Sequence, residues 1–190
     1  MKLSFASLAV TGLLLSGCAS APIQFYTLGA PAIASTTTAL GPTTPVVTVD
    51  PVQVPDYLDS QDMLVRHGDV LDRSPHGRWA SRLSRGVTDL VTARLSQIWS
   101  SVFVTSQSSA STPGTRLNIT VTRLDIATDG LGTLEADWSF IPTNEKKPVL
   151  HHRASFTARG SVVTDAGNVT LTRDLVEQLS AAIGASTPQL

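Results

Sequence analysis

Along residues 131–162 the chain alternates. Leu134, Ala136, Trp138 and Phe140 are apolar, and Glu135, Asp137 and Ser139 between them are polar. Leu150, His152, Ala154, Phe156, Ala158, Gly160 and Val162 repeat the pattern against His151, Arg153, Ser155, Thr157 and Arg159. A period of two sends successive side chains to opposite faces, so each stretch predicts a half-buried strand with a polar outer face. Thr143–Pro148 turns the chain between them, and Arg153 and Arg159 then face Glu135 and Asp137 across the ladder. Upstream, Leu117, Ile119 and Val121 share one phase, whereas Leu124 and Ile126 are one residue out. A bulge near Thr122–Arg123 reconciles the two halves, and Asp129-Gly130 with Gly132 forms the hairpin connection.

A different period marks two helices. Trp79, Leu83, Val87, Leu90, Val91, Leu95 and Ile98 recur at spacings of three and four, with Arg82, Arg85, Asp89 and Arg94 on the other face. Ser74-Pro75 has the form of a helix start, a cap followed by proline, and His67–Gly77 around it reads as a loop. Gly86 costs about 1 kcal/mol against alanine in mid-helix, and it would permit close approach of a neighbouring strand or subunit. Asp165–Asn168 reads as a turn. Leu171, Leu175, Leu179 and Ile183, with Val176 and Ala182, predict a closing helix. Val46–Val54 is β-branched and alternating; Pro51 within it calls for an edge strand or a bulge. Pro55–Asp59 turns, and Gln61–Arg66 and Ser101–Ser106 are short strands. Together these predict one α+β domain over 46–190: an antiparallel sheet of about five strands with two amphipathic helices packed on one face. The small inner residues Ala154, Ala158 and Gly160 leave room beside the helices, or else let a helix pack close.

The first 45 residues follow another plan. Lys2 precedes an uncharged apolar run, Leu3 to Leu15, and Ser16-Gly17 leads into Cys18, the single cysteine of the 190-residue chain. This is a secretory leader; about 20 apolar residues would be needed to span a membrane. Leu15-Ser16-Gly17-Cys18 resembles the lipobox of bacterial lipoproteins. The resemblance implies removal of residues 1–17 and lipidation of Cys18, with Ala19 in the next position favouring the outer membrane. The plainer reading is an ordinary leader with an incidental cysteine. Residues 18–45, with Pro22, Pro31, Pro42 and Pro45, read as a lipidated tether. As a flexible coil it would reach about 30 Å, unless the island Phe25-Tyr26-Thr27-Leu28 docks as a short strand. One cysteine leaves no internal disulfide.

Charge and chemistry narrow the function classes. Fourteen Lys+Arg against fifteen Asp+Glu give a near-neutral chain, which excludes a nucleic-acid footprint or polybasic membrane patch. No Gly-x-Ser-x-Gly elbow and no Gly-rich phosphate loop occur. His151 and His152 point to opposite faces of a strand, and His67 and His76 lie in a loop, so no metal set converges. The scatter Asp56, Asp59, Asp62, Asp69 and Asp72 fails the EF-hand pattern, since Gln61 and His67 occupy its glycine and glutamate places. The expectation is a protein without catalytic residues, metal or cofactor, apart from the covalent lipid on Cys18.

Several stretches taken together resemble the PqiC family of ABC-transport auxiliary lipoproteins. They are the lipobox, Phe25-Tyr26-Thr27-Leu28, Val52-Gln53-Val54-Pro55-Asp56-Tyr57-Leu58-Asp59, Leu64-Val65-Arg66, and Arg78-Trp79-Ala80 opening a helix that ends Leu95-Ser96-Gln97-Ile98. Ser60-Gln61-Asp62 departs from the family's usual Arg-Pro-Gln-like run. The resemblance implies an outer-membrane lipoprotein, facing the periplasm, that docks a periplasm-spanning MCE protein and its inner-membrane permease system. It also implies contact with outer-membrane phospholipid and assembly into a homo-oligomeric ring. Tyr57, Leu58 and Arg66 are the candidate partner contacts, with inward packing of Tyr57 and Leu58 as the alternative. A solitary lipid-binding lipoprotein and an assembly or secretion accessory lipoprotein are the competing classes.

Overall fold

The computed structural model describes residues 21–29, 40–107 and 114–186. Cys18 and the apolar leader lie outside the described residues. Ten elements follow in order: β1 (Gln24–Tyr26), β2 (Val46–Val49), β3 (Asp62–His67), β4 (Val70–Trp79), α1 (Leu83–Ile98), β5 (Phe103–Thr105), β6 (Thr115–Ile126), β7 (Leu131–Pro142), β8 (Leu150–Arg159) and α2 (Asp165–Ala185). The strands form two sheets, ordered β1-β4-β3 and β5-β2-β6-β7-β8.

The large sheet is built on the alternation of β7 and β8. Leu134, Ala136, Trp138 and Phe140 are buried, and Glu135, Asp137 and Ser139 face outward. The β6–β7 register shifts between Val121 and Arg123, which leaves Thr122 as the extra residue. Gly130, at φ +79°, closes the β6–β7 hairpin, the left-handed position that a three-residue loop assigns to glycine. Across β7–β8 the Arg153 guanidinium grips Asp137 at 2.6 and 2.8 Å. Arg159 pairs in register with Leu131 instead, and Glu135 meets Arg123 of β6.

α1 and α2 cover the inner face. Leu83, Val87, Leu90, Val91 and Leu95 of α1 are buried with Leu171, Leu175, Val176, Leu179 and Ile183 of α2. An Arg94–Glu177 pair links the helices, and the Trp99 indole donates to the Gly184 carbonyl at 3.0 Å. Small residues let α2 sit close to the sheet. A Cβ on Gly132 would stand 2.9 Å from Leu175 and 3.1 Å from Leu171.

The fold corrects the expectation in four places. The sheets are mixed, not purely antiparallel: β2 runs parallel to both β5 and β6, and β1 parallel to β4. β2 is therefore an inner strand. The chain leaves it at Asp50 and rejoins β6 at Gln53, so Pro51 sits in a bulge where no ladder N–H is needed. His67–Gly77 is the end of β3 and most of β4, with Gly68 at φ +59° in the two-residue hairpin loop. Ser74 does cap, since its hydroxyl accepts from the Gly77 amide at 2.8 Å and the His76 amide at 3.2 Å. What it caps is an irregular turn within a strand, where β4 swells against β3 between Arg73 and Arg78. Trp79 is the buried last residue of β4, and α1 begins four residues later. Finally, Asp165–Asn168 belongs to the first turn of α2, whose cap is Thr164, accepting from the Gly167 amide.

Candidate functional site

The Pro55–Asp59 turn is held by backbone bonds from Leu58 to Pro55 and from Asp59 to Asp56. It separates its residues sharply. Leu58 points into the core, and Tyr57 stands 44 % exposed. Leu58 is therefore part of the packing rather than a free contact. Asp59 turns toward α1. That helix has Arg82 at its start with no side-chain cap, which would leave its first amides orphaned. The Asp59 carboxylate takes the Ser84 amide at 3.4 Å, and the Ser60 carbonyl takes that of Leu83 at 3.2 Å. The Ser84 bond, aided by Arg82, holds the Asp59 carboxyl below its ordinary range.

Tyr57 and Arg66 come together. Tyr57 lies within electrostatic reach of Arg66, whose guanidinium pairs with Asp125 of β6 at 2.9 Å. Arg123 binds the other oxygen of Asp125 at 2.7 Å and extends to Glu135 at 3.6 Å. This polar chain ties the small sheet to the large one beside the Arg66–Ala127 bridge. Burial pushes the Asp125 carboxyl up, but the Arg66 and Arg123 guanidiniums outweigh it and hold the group below its ordinary range. Arg66 is thus engaged on one side and half-exposed on the other.

The island at residues 25–28 is docked. β1 pairs with β4, the Ala80 amide donates to the Tyr26 carbonyl at 2.7 Å, and Arg173 of α2 donates to the Leu28 carbonyl at 2.6 Å. Leu28 is buried 3.6 Å from where a Cβ of Gly86 would stand. The close neighbour of Gly86 is the chain's own N-terminal segment. Leu28 belongs to the island expected to dock, but its partner Arg173 carries no local signal, being 145 residues away.

Among the described residues no group of three or more His, Cys, Asp or Glu is placed to hold a metal ion. No described helix is long and apolar enough to cross a membrane. Trp138 stacks on His152 with centroids 5.2 Å apart, which accounts for His152 as a packed inner-face side chain. A small, partly open recess of about 20 Å³ lies among Leu58, Trp79, Leu124 and Asn168, room for about one water.

A family model described as "ABC-type transport auxiliary lipoprotein component" matches residues 26–184, from the docked island to the end of α2. The chain belongs to this family. As an ABC-type transport auxiliary lipoprotein, it is similar to a crystal structure of an uncharacterised protein at TM-score 0.72 and 20 % identity, covering 87 % of this chain and 99 % of that one. It is also similar to protein XCC0632 from Xanthomonas campestris, at TM-score 0.62 and 16 % identity over 84 % of this chain and 92 % of that one. At these identities the likeness shows the shared fold. No curated protein matches the sequence.

Proposed function

We propose that this auxiliary lipoprotein is anchored in the outer membrane by lipid on Cys18 and docks the periplasm-spanning MCE protein of an intermembrane lipid-transport system, supporting membrane integrity. The family match over residues 26–184 carries the reading. The lone cysteine at the end of a short apolar leader supplies the anchor. The exposed Tyr57, near Arg66 on a hydrogen-bonded turn, is the proposed partner contact; an exposed aromatic ring on a loop fits a docking role. Ring assembly belongs to the same proposal.

The packing favours docking over solitary lipid carriage. Carriage would need a pocket that encloses most of the ligand. The space beside Gly160 is filled by Leu171, whose Cδ1 lies 3.5 Å from the Cβ position there, and the recess beside Leu58 holds about 20 Å³. The groove between Leu28 and α1, about 260 Å³, and the one beside β1 and Val163, about 550 Å³, are both open clefts.

A photo-crosslinking residue at position 57, in living cells, tests the contact. The expected product is a conjugate with the MCE protein. A conjugate with a second copy alone, or none, contradicts this face as the docking surface. The solitary-carrier class predicts instead that lipid co-purifies with the protein in the absence of any MCE partner.

A further inference from the structure

The docking of β1 shortens the tether. Gln24, Phe25 and Tyr26 are paired with Gly77, Arg78 and Trp79, and Arg173 holds the carbonyl of Leu28. Cys18 is three residues from Ala21, where the described chain begins. Consecutive Cα atoms are 3.8 Å apart, so three steps reach at most about 11 Å whatever path they take. A lipid on Cys18 therefore holds Ala21 within about 11 Å of the anchored cysteine, not at the end of a 30 Å leash.

The surface at that point is apolar and open. Ile23 is 54 % exposed, Phe25 65 % and Val163 92 %. Val163 lies in the connection between β8 and α2, and lines an open cleft of about 550 Å³ with Ala21, Pro22 and Pro75. Gln24 and Tyr26 of the outer strand β1 line that cleft too, so Phe25 between them faces the other side of the strand. The charged groups in the cleft are Asp72, Asp165 and Arg73, with His76 beside them. With two carboxylates against one guanidinium the cleft is slightly acidic, so it offers apolar area rather than a basic surface for anionic lipid.

We propose that Val163, with the Ala21–Pro22 end of the chain beside it, sits in the headgroup–acyl boundary of the bilayer that holds the Cys18 lipid. The inference rests on the lipid-anchor reading. The occupant follows from reach: a membrane that receives the acyl chains lies within about 11 Å of Ala21. Side chains and lipid then fix the domain together, and the short connection orients it. The β7–β8 turn points away, since ten residues of β8 at about 3.3 Å each place it about 30 Å from this end.

The test uses the full lipidated protein in phosphatidylcholine vesicles. The lipid occupies the Cys18 sulfur, so Val163→Cys gives one free thiol for a nitroxide, and Glu145→Cys in the β7–β8 turn gives a control. Both positions are exposed, which keeps the substitutions out of the core. At 163 the expected signal is loss of access to a water-soluble nickel relaxer with gain of access to oxygen, relative to 145. Nickel access at 163 equal to that at 145 overturns the proposal. Exclusion of both relaxers also overturns it, because another copy of the chain then covers the patch. Protein that fails to float with the vesicles overturns the anchor itself, and this proposal with it, before a spectrum is recorded.

Discussion

The Asp59 carboxylate lies 3.4 Å from the backbone amide of Ser84, across 25 residues of intervening chain. A turn that looks like a binding motif is also the cap of the first helix. Asp59→Ala should lower stability by about 1 kcal/mol, the usual cost of a lost cap. Asp59→Asn keeps the cap and removes the charge. The folded pKa of Asp59 is depressed below its ordinary 3.8. Its contribution is therefore complete above 3.8 and is lost as pH falls through the lower folded value. Urea midpoints measured through that acid range should fall less steeply for Asp59→Asn than for the wild type; parallel curves would contradict the cap.

Asp125 joins the two sheets through Arg66 and Arg123. Asp125→Asn leaves two cations facing a neutral amide. We expect a loss of about 2–3 kcal/mol by urea unfolding, below that of a fully buried broken pair because both arginines keep water contact. Its depressed pKa adds the same sign of acid sensitivity, with stability lost as pH falls through the folded value.

Two glycines predict opposite outcomes. At Gly86 an added Cβ would meet Leu28 at 3.6 Å, an ordinary contact. Gly86→Ala should stabilise by about 0.5–1 kcal/mol through helix propensity. At Gly132 the Cβ would press on Leu175, Leu171 and Ile126 at 2.9–3.3 Å, all in the packed core. Gly132→Ala should cost about 1–3 kcal/mol. Calorimetry of the two variants separates them by the direction of the Tm shift.

Leu28 pins the N-terminal segment to α1. Leu28→Ala should cost about 2–3 kcal/mol, toward the low end for a core leucine because the segment can undock by itself. Hydrogen exchange at the Ala80 amide, which is bonded to Tyr26, should accelerate in this variant before the rest of the domain does.

Much of this architecture was legible in sequence. The alternation of β7 and β8, the Val121–Arg123 bulge and the leucine spacing of α2 arise from local periodicity, and the structure keeps them. β4 was illegible because Asp72, Arg73, Ser74, Pro75 and Gly77 carry no strand pattern. It is a strand because β3 and β1 bond to its two sides. The parallel placement of β2 between β5 and β6 is likewise set by chain crossover, which leaves no trace in spacing. At the candidate site, Tyr57 and Arg66 could be singled out. Their link to Asp125 could not be seen, because it depends on two sheets meeting.

Leu58 and Tyr57 allow packing to be separated from recognition. Leu58→Ala should cost about 2–3 kcal/mol of stability. Tyr57→Ala should leave the urea midpoint within about 0.5 kcal/mol of wild type and weaken partner capture.

The most direct measurement is affinity purification of the full lipidated protein from detergent-solubilised membranes, with the MCE protein of the same transport system quantified in the eluate. The account predicts that the MCE protein co-elutes with the wild type and is depleted with the folded Tyr57→Ala variant. An eluate that lacks the MCE protein in every detergent that preserves the MCE assembly would contradict it.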